Sequence, residues 1–190
     1  TLAAFKSIGG GLAIVNGNVT ISVSTAMNQA DVQTVVNEIL TVTKDFTYTA
    51  NASTIAETTF NNLSGAQSIT LKQGGGYKMQ TLASASNIVL NDAYKSTVTI
   101  IDFRALNSVS TIQDDNGTPG KVHFNKATEM HLTSLAYYAG NLDLKVKTGG
   151  VIDLTALDDM NAAGTAAVGP TWAISLDGPT SIALSNVSDG

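Results

Sequence analysis

FNNLSGAQSITL, residues 60–71, sets its apolar side chains at Phe60, Leu63, Ala66, Ile69 and Leu71, in steps of 3, 3, 3 and 2. A helix drifts between steps of three and four, and a strand alternates by two from its first residue. Neither periodicity fits. A chain that bends around a narrow interior, in 3₁₀-like or polyproline-like conformation, turns every third side chain inward, and a closing step of two marks its entry into a strand. MQTLASASNIVL, residues 79–90, repeats the spacing with Met79, Leu82, Ala85, Ile88 and Leu90, 19 residues later (79 minus 60).

The pattern extends in both directions. VNEILTVTKDFTY (36–48) places Val36, Ile39, Val42, Phe46 and Tyr48 in steps of 3, 3, 4 and 2, and LAAFKSIGGGLAI (2–14) places Leu2, Phe5, Ile8, Leu12 and Ile14 in the same steps. Looser copies occur at Phe103, Leu106, Val109 and Ile112; at Phe124, Ala127, Met130 and Leu132; at Leu154, Leu157 and Met160; and at Leu184 and Val187. VTIIDF (98–103), VHF (122–124), VIDL (151–154) and IAL (182–184) each alternate by two and end on the first residue of a three-step segment, as strands feeding a bend. QGGG (73–76), DDNGTPG (114–120) and GNL (140–142) supply return loops where positive φ is tolerated. One such coil cannot bury its apolar edge alone, so coils stack and their strands form parallel ladders. The expected fold is mainly β: a parallel β-solenoid with short strands and 3₁₀-like bends. A single domain over residues 1–190 is expected, made of about eight irregular coils.

LAAFKSIGGGLAI and FNNLSGAQSITL resemble the L-x-x-L-x-x-I-x-x-L-x-L framework of leucine-rich-repeat proteins. The likeness is to the irregular versions found in receptor L domains and in bacterial surface adhesins, including the giant adhesins of gliding bacteria. Here Ile, Val, Ala and Met replace many of the leucines, and no Asn recurs at a fixed position. The resemblance implies a leucine-rich-repeat-like solenoid and a non-enzymatic surface protein that binds sugars or proteins, or extends as a stalk.

Composition narrows the function. Charged residues make up 13% of the chain and the formal net charge is -5. A nucleic-acid partner is disfavoured, because affinity for the phosphate backbone rests on Lys and Arg, and the ten here are scattered. No apolar run reaches the roughly 18 residues of a membrane span, and the Thr1 end carries no charged-then-apolar signal pattern. The absence of cysteine excludes disulfides and thiolate chemistry. The low-charge, Ser/Thr/Asn-rich texture points to an extracellular or cell-surface location.

The most ordered polar feature is a column. With IDF, VHF and IDL stacked in register, Asp102, His123 and Asp153 share one outward position, followed two residues on by Arg104, Asn125, Thr155 and Ser185. This is the candidate binding strip. As carboxylates with a nearby base it would also serve a carbohydrate-active β-helix enzyme; as a solvated ladder it needs no ligand. His123 and His131 each lie between two inward apolar residues and are expected to point outward. DDNG (114–117) and the DD pair at 158–159 match no calcium-loop pattern and read as turn caps, with calcium left open, as is a metal between His123 and His131, for which solvated histidines are the plainer reading; no cofactor and no catalytic or metal-ligating residue is assigned. Both GGG runs lack the Lys and Ser/Thr of a phosphate loop.

The leading expectation is a non-catalytic segment of an extracellular adhesin or surface filament, with a glycan or protein ligand and neighbouring solenoid modules as partners. VTIS, TYTA and VTII raise an ice- or surface-binding solenoid as a further alternative. That needs a flat, regular ladder of outward Thr, and these Thr do not stand at a constant coil position, which counts against it. At the ends, TLAAFKSI opens inside a three-step segment and IALSNVSDG stops after one step. Open coils completed by neighbours, in a longer protein or by head-to-tail stacking, are therefore expected.

Overall fold

A computed structural model of the chain describes residues 13–23, 27–50, 57–72, 75–91, 98–114, 117–124, 126–135, 138, 142–155 and 174–183, with Ala13 and the last segment described by backbone alone. Two parallel sheets enclose one apolar core, and among the described residues the β-solenoid makes about five turns. One sheet, here sheet A, holds β1 (Ala13–Val15), β2 (Val19–Ser22), β3 (Ile39–Thr49), β5 (Gly65–Lys72), β7 (Ser84–Leu90) and β9 (Ser108–Asp114). Sheet B holds β4 (Thr58–Thr59), β6 (Tyr77–Lys78), β8 (Ile100–Asp102), β10 (Lys121–His123), β11 (Glu129–His131), β12 (Leu142–Asp153) and β13 (Ile174–Ala183).

The step of three is a 3₁₀-type closure. The amides of Leu82, Leu106, Ala127 and Leu135 donate to the carbonyls of Met79, Phe103, Phe124 and Leu132, at 3.3, 3.0, 3.0 and 3.1 Å. Each closure turns the chain out of a sheet B strand and leaves both its apolar residues buried. Coils then stack: Ser64 donates to Leu40, Ala83 to Ser64 and Asn107 to Ala83, at 2.8, 3.0 and 3.0 Å. Leu63, Leu82 and Leu106 therefore occupy equivalent core positions, each fully buried. Ile69, Ile88 and Ile112 form a second column, and Ala66, Ala85 and Val109 a third. The VNEILTVTKDFTY coil obeys its predicted register, with Val42 opposite Ala66, Phe46 opposite Ile69 and Tyr48 opposite Leu71; its step of four is a bulge between Val42 and Asp45.

Two boundaries differ from the sequence expectation. The spacing places Ile14 inward and level with Tyr48, yet it pairs with Thr41 and is 68% exposed, while Val19 and Ile21 pair with Phe46 and Tyr48. The extra residues in β3 are the cause. Asn16, Gly17 and Asn18 wrap the bulge, with Gly17 at φ 144, its amide on Thr43 Oγ1 at 3.0 Å, and Asn18 Oδ1 on the Asp45 amide at 3.3 Å. Second, Met130 does not enter sheet A after the Phe124–Ala127 bend. It lies in β11 of sheet B, and a second bend comes at Leu132–Leu135. The copies at residues 2–12, 157–160 and 184–187, and both chain ends, lie outside the described residues.

A helix absent from the sequence expectation, α1 (Gln29–Asn37), takes the place of a sheet B strand in its turn. Asn28 caps it through Oδ1 on the Asp31 amide at 2.9 Å, and Val32, Val35 and Val36 form its buried stripe. Its glutamines close the edge of sheet B. Gln33 presents its side-chain amide to Thr59 as another strand would, accepting from the Thr59 amide through Oε1 at 3.2 Å and donating to the Thr59 carbonyl through Nε2. Gln29 donates to the Glu57 carbonyl. An edge that would otherwise offer a template for pairing is covered.

Candidate functional site

The polar column exists, but with one different member. Thr59, Lys78, Asp102, His131, Asp153 and Ala183 are in register across β4, β6, β8, β11, β12 and β13. His123 is not among them; it pairs in register with Lys145, at the other end of β12. VHF and MHL carry the same alternation, so the sequence alone offers two histidines for one place. The strand EMH, inserted between β8 and β12, decides for His131. Two residues further on, Thr133 accompanies Arg104, its hydroxyl donating to the Arg104 carbonyl at 3.0 Å; Asn125 and Ser185 lie outside the described residues.

Asp102, expected to be exposed, is fully buried although it lies on the outer face. Gln80 and Arg104 cover it. Its Oδ2 accepts from Gln80 Nε2 at 2.7 Å, its Oδ1 from Arg104 Nε at 2.9 Å and from the Arg104 amide at 3.2 Å, and Arg104 Nη2 adds an ion pair. Burial alone would push this carboxyl up, but the hydrogen bonds from Arg104 and Gln80 outweigh it and hold it below the usual carboxylate range. Asp153 repeats the local motif. Its Oδ1 accepts from the Thr155 amide at 3.2 Å and from the Thr155 hydroxyl. Both aspartates thus cap the amide two residues on, at the entry to a bend.

The imidazole of His131 bridges its neighbours, with Nε2 3.0 Å from Glu129 Oε2 and Nδ1 3.7 Å from Asp153 Oδ2. His123 Nε2 lies 2.7 Å from Asp143 Oδ1 but out of line for a hydrogen bond, which leaves that nitrogen without an aligned partner. Lys78 pairs with Glu57 at 2.9 Å. The column is therefore a ladder in which each ionisable group of the strip already contacts another side chain. No group of three His, Asp or Glu arranged to hold a metal ion occurs among the described residues. No helix of the described residues is long and apolar enough to cross a membrane. Asp102 and Asp153 are separated by β11, about 10 Å across two strand spacings, with His131 in register between them.

The outer face of sheet A has a different chemistry. Thr20, Thr47 and Thr70 are in register on β2, β3 and β5, continued by Val89 and Gln113, with Ser22, Thr49 and Lys72 in register two residues on. The expectation that these threonines lack a constant position rests on the wrong boundary for the first coil; with Val19 opposite Phe46, VTIS and TYTA align. VTII, by contrast, leads into sheet B. Beside the ladder run Asp45, Ser68, Asn87 and Thr111, and nearer the bend Thr41, Gly65, Ser84 and Ser108.

No protein-family model, no curated protein and no solved structure matches the chain.

Proposed function

We propose that the chain is a non-catalytic binding and structural solenoid of the cell exterior, a module of a surface adhesin or filament that recognises a glycan or a protein. The observation that supports it best is the engagement of the outward acidic groups: Asp102 by Arg104 and Gln80, Asp153 by Thr155 and His131. Carboxylates held in this way are poor candidates for a general acid and base, which need reach to a substrate proton. The stacked coils, the low charge and the repeat resemblance of residues 60–71 favour the same reading. The helix over the β4 edge further favours a capped module, whose contacts with neighbouring modules would run through sheet A.

A glycan array probed with the full chain, with and without calcium, tests the reading alongside turnover assays on the polysaccharides that bind. Binding without turnover, unchanged by Asp153→Asn in the turnover assay, is the expected result. Cleavage of a polysaccharide that disappears in Asp153→Asn would overturn it in favour of a carbohydrate-active β-helix.

A further inference from the structure

We infer that the outer face of sheet A binds ice, with the ladder Thr20, Thr47 and Thr70 at its centre. Three independent features lead there. The first is geometry. Parallel strands set side chains about 4.8 Å apart across the sheet and about 6.6 Å apart for alternate residues along it, so Thr20, Ser22, Thr47, Thr49 and Thr70 fill five corners of a rectangular grid of hydroxyls. A repeating rectangular grid of hydroxyls can stand in for a plane of lattice water.

The second is the free state of the groups. Several threonines beside bends have local work: Thr81 donates to the Phe60 and Leu63 carbonyls, Thr99 to Gly75, Thr128 to Thr99 and Thr133 to Arg104. Among the described residues no such bond engages the hydroxyls of Thr20, Thr47 or Thr70. Thr47 and Thr70 are half-buried between neighbouring columns, and β-branching restricts their χ1. Their hydroxyls are thus available, with few orientations open to them.

The third is what the face lacks. No charged residue lies in the row Thr20, Thr47 and Thr70; Lys72 takes the sixth corner of the grid beside Thr49, and Asp45 stands in the row before Thr47. Ammonium and carboxylate groups hold hydration shells of their own, which an ordered lattice would have to displace. A sugar polymer is the competing ligand, and it favours aromatic platforms on which rings stack. The aromatic residues of β3, Phe46 and Tyr48, point into the core. This inference does not depend on the adhesin reading, and the two can fail separately.

The test is ice recrystallisation in the presence of the full chain. Ice grains that stay small at micromolar protein are expected, with the effect lost in Thr47→Tyr and in Thr20→Tyr. The second variant changes an exposed position at the end of the ladder and so guards against a folding failure in the first. Lys126→Ala, at an exposed position on a sheet B bend, should retain the effect. Grains that coarsen as in buffer would overturn the inference, as would full activity in folded Thr47→Tyr and Thr20→Tyr. Co-sedimentation with insoluble cellulose or chitin that needs Thr47, without any effect on ice, would assign the face to a polysaccharide instead.

Discussion

The outer faces of sheets A and B belong to the same coils and cover the same core, yet the central row of one, Thr20, Thr47 and Thr70, presents hydroxyls with no protein partner, while in the polar column of the other Lys78, Asp102, His131 and Asp153 each contact another side chain. Strand length accounts for the difference. Sheet B strands such as β4, β6, β8 and β11 are two or three residues long, so their outward side chains sit beside bends with amides and carbonyls to satisfy. Asp102 and Asp153 accept from such amides. In β3, β5 and β7, at 11, 8 and 7 residues, the ladder itself satisfies the backbone, and outward side chains in mid-strand have no such duty. A side chain far from a bend is free to meet something outside the protein.

The comparison breaks most severely through what the faces share. Leu82→Ala removes a fully buried side chain from the column between Leu63 and Leu106 and should lower stability by about 2–5 kcal/mol. Denaturant unfolding would measure it, with protection lost on both sheets; a loss confined to one would show that the coils do not unfold together.

Asp102→Ala should cost about 1–3 kcal/mol, because Gln80 and Arg104 lose their common acceptor; half of Arg104 is in water, which limits the charge contribution. The same residue sets a pH dependence. A carboxyl held below its unfolded value stabilises the fold above the usual carboxylate range, and that contribution is lost as pH falls through the depressed value. Acid unfolding of Asp102→Ala should therefore show a flatter limb than the parent in that range.

Gln33→Leu tests the edge closure. The substitution leaves the helix and its valine stripe in place but removes both bonds to Thr59. About 1 kcal/mol is expected, with hydrogen exchange at the Thr59 amide rising before any other in sheet B. Thr47→Val sits at the small end. It keeps the shape and removes a hydroxyl with no protein partner, so a change within about 0.5 kcal/mol is expected. A larger loss would mean that the hydroxyl has structural work and that the contrast between the faces is wrong.

Much of this architecture is legible in the steps of 3, 3, 3 and 2, because an inward-facing apolar residue is a local consequence of a tight bend and burial is the only stable place for it. Phe60, Leu63, Ile69 and Leu71 need no partner strand to be identified as core. α1 carries a readable signal too, in the Asn28 cap and the 32, 35, 36 stripe, but Val36 and Ile39 also fit the three-step pattern, which masks it. The column is half legible. Spacing alone puts Asp102 and Asp153 together, whereas the choice between His123 and His131 is not open to local reasoning, since their flanking residues alternate alike.

The sequence by itself determined the kind of coil, the apolar core of the coils from Val36 to Ile112 and the absence of thiol chemistry, all of which derive from composition and from spacing within one turn. The tertiary structure alone decided register: which histidine lies between the aspartates, that Thr20 stands beside Thr47, and that Gln33 closes the edge of β4. Register between coils depends on the number of residues in each return loop and on bulges such as that at 43–44, and a single inserted residue shifts every later partner. Apolar spacing within a coil carries no information about the length of the path to the next one, and for that reason the faces on which function is proposed appear only once the coils are stacked.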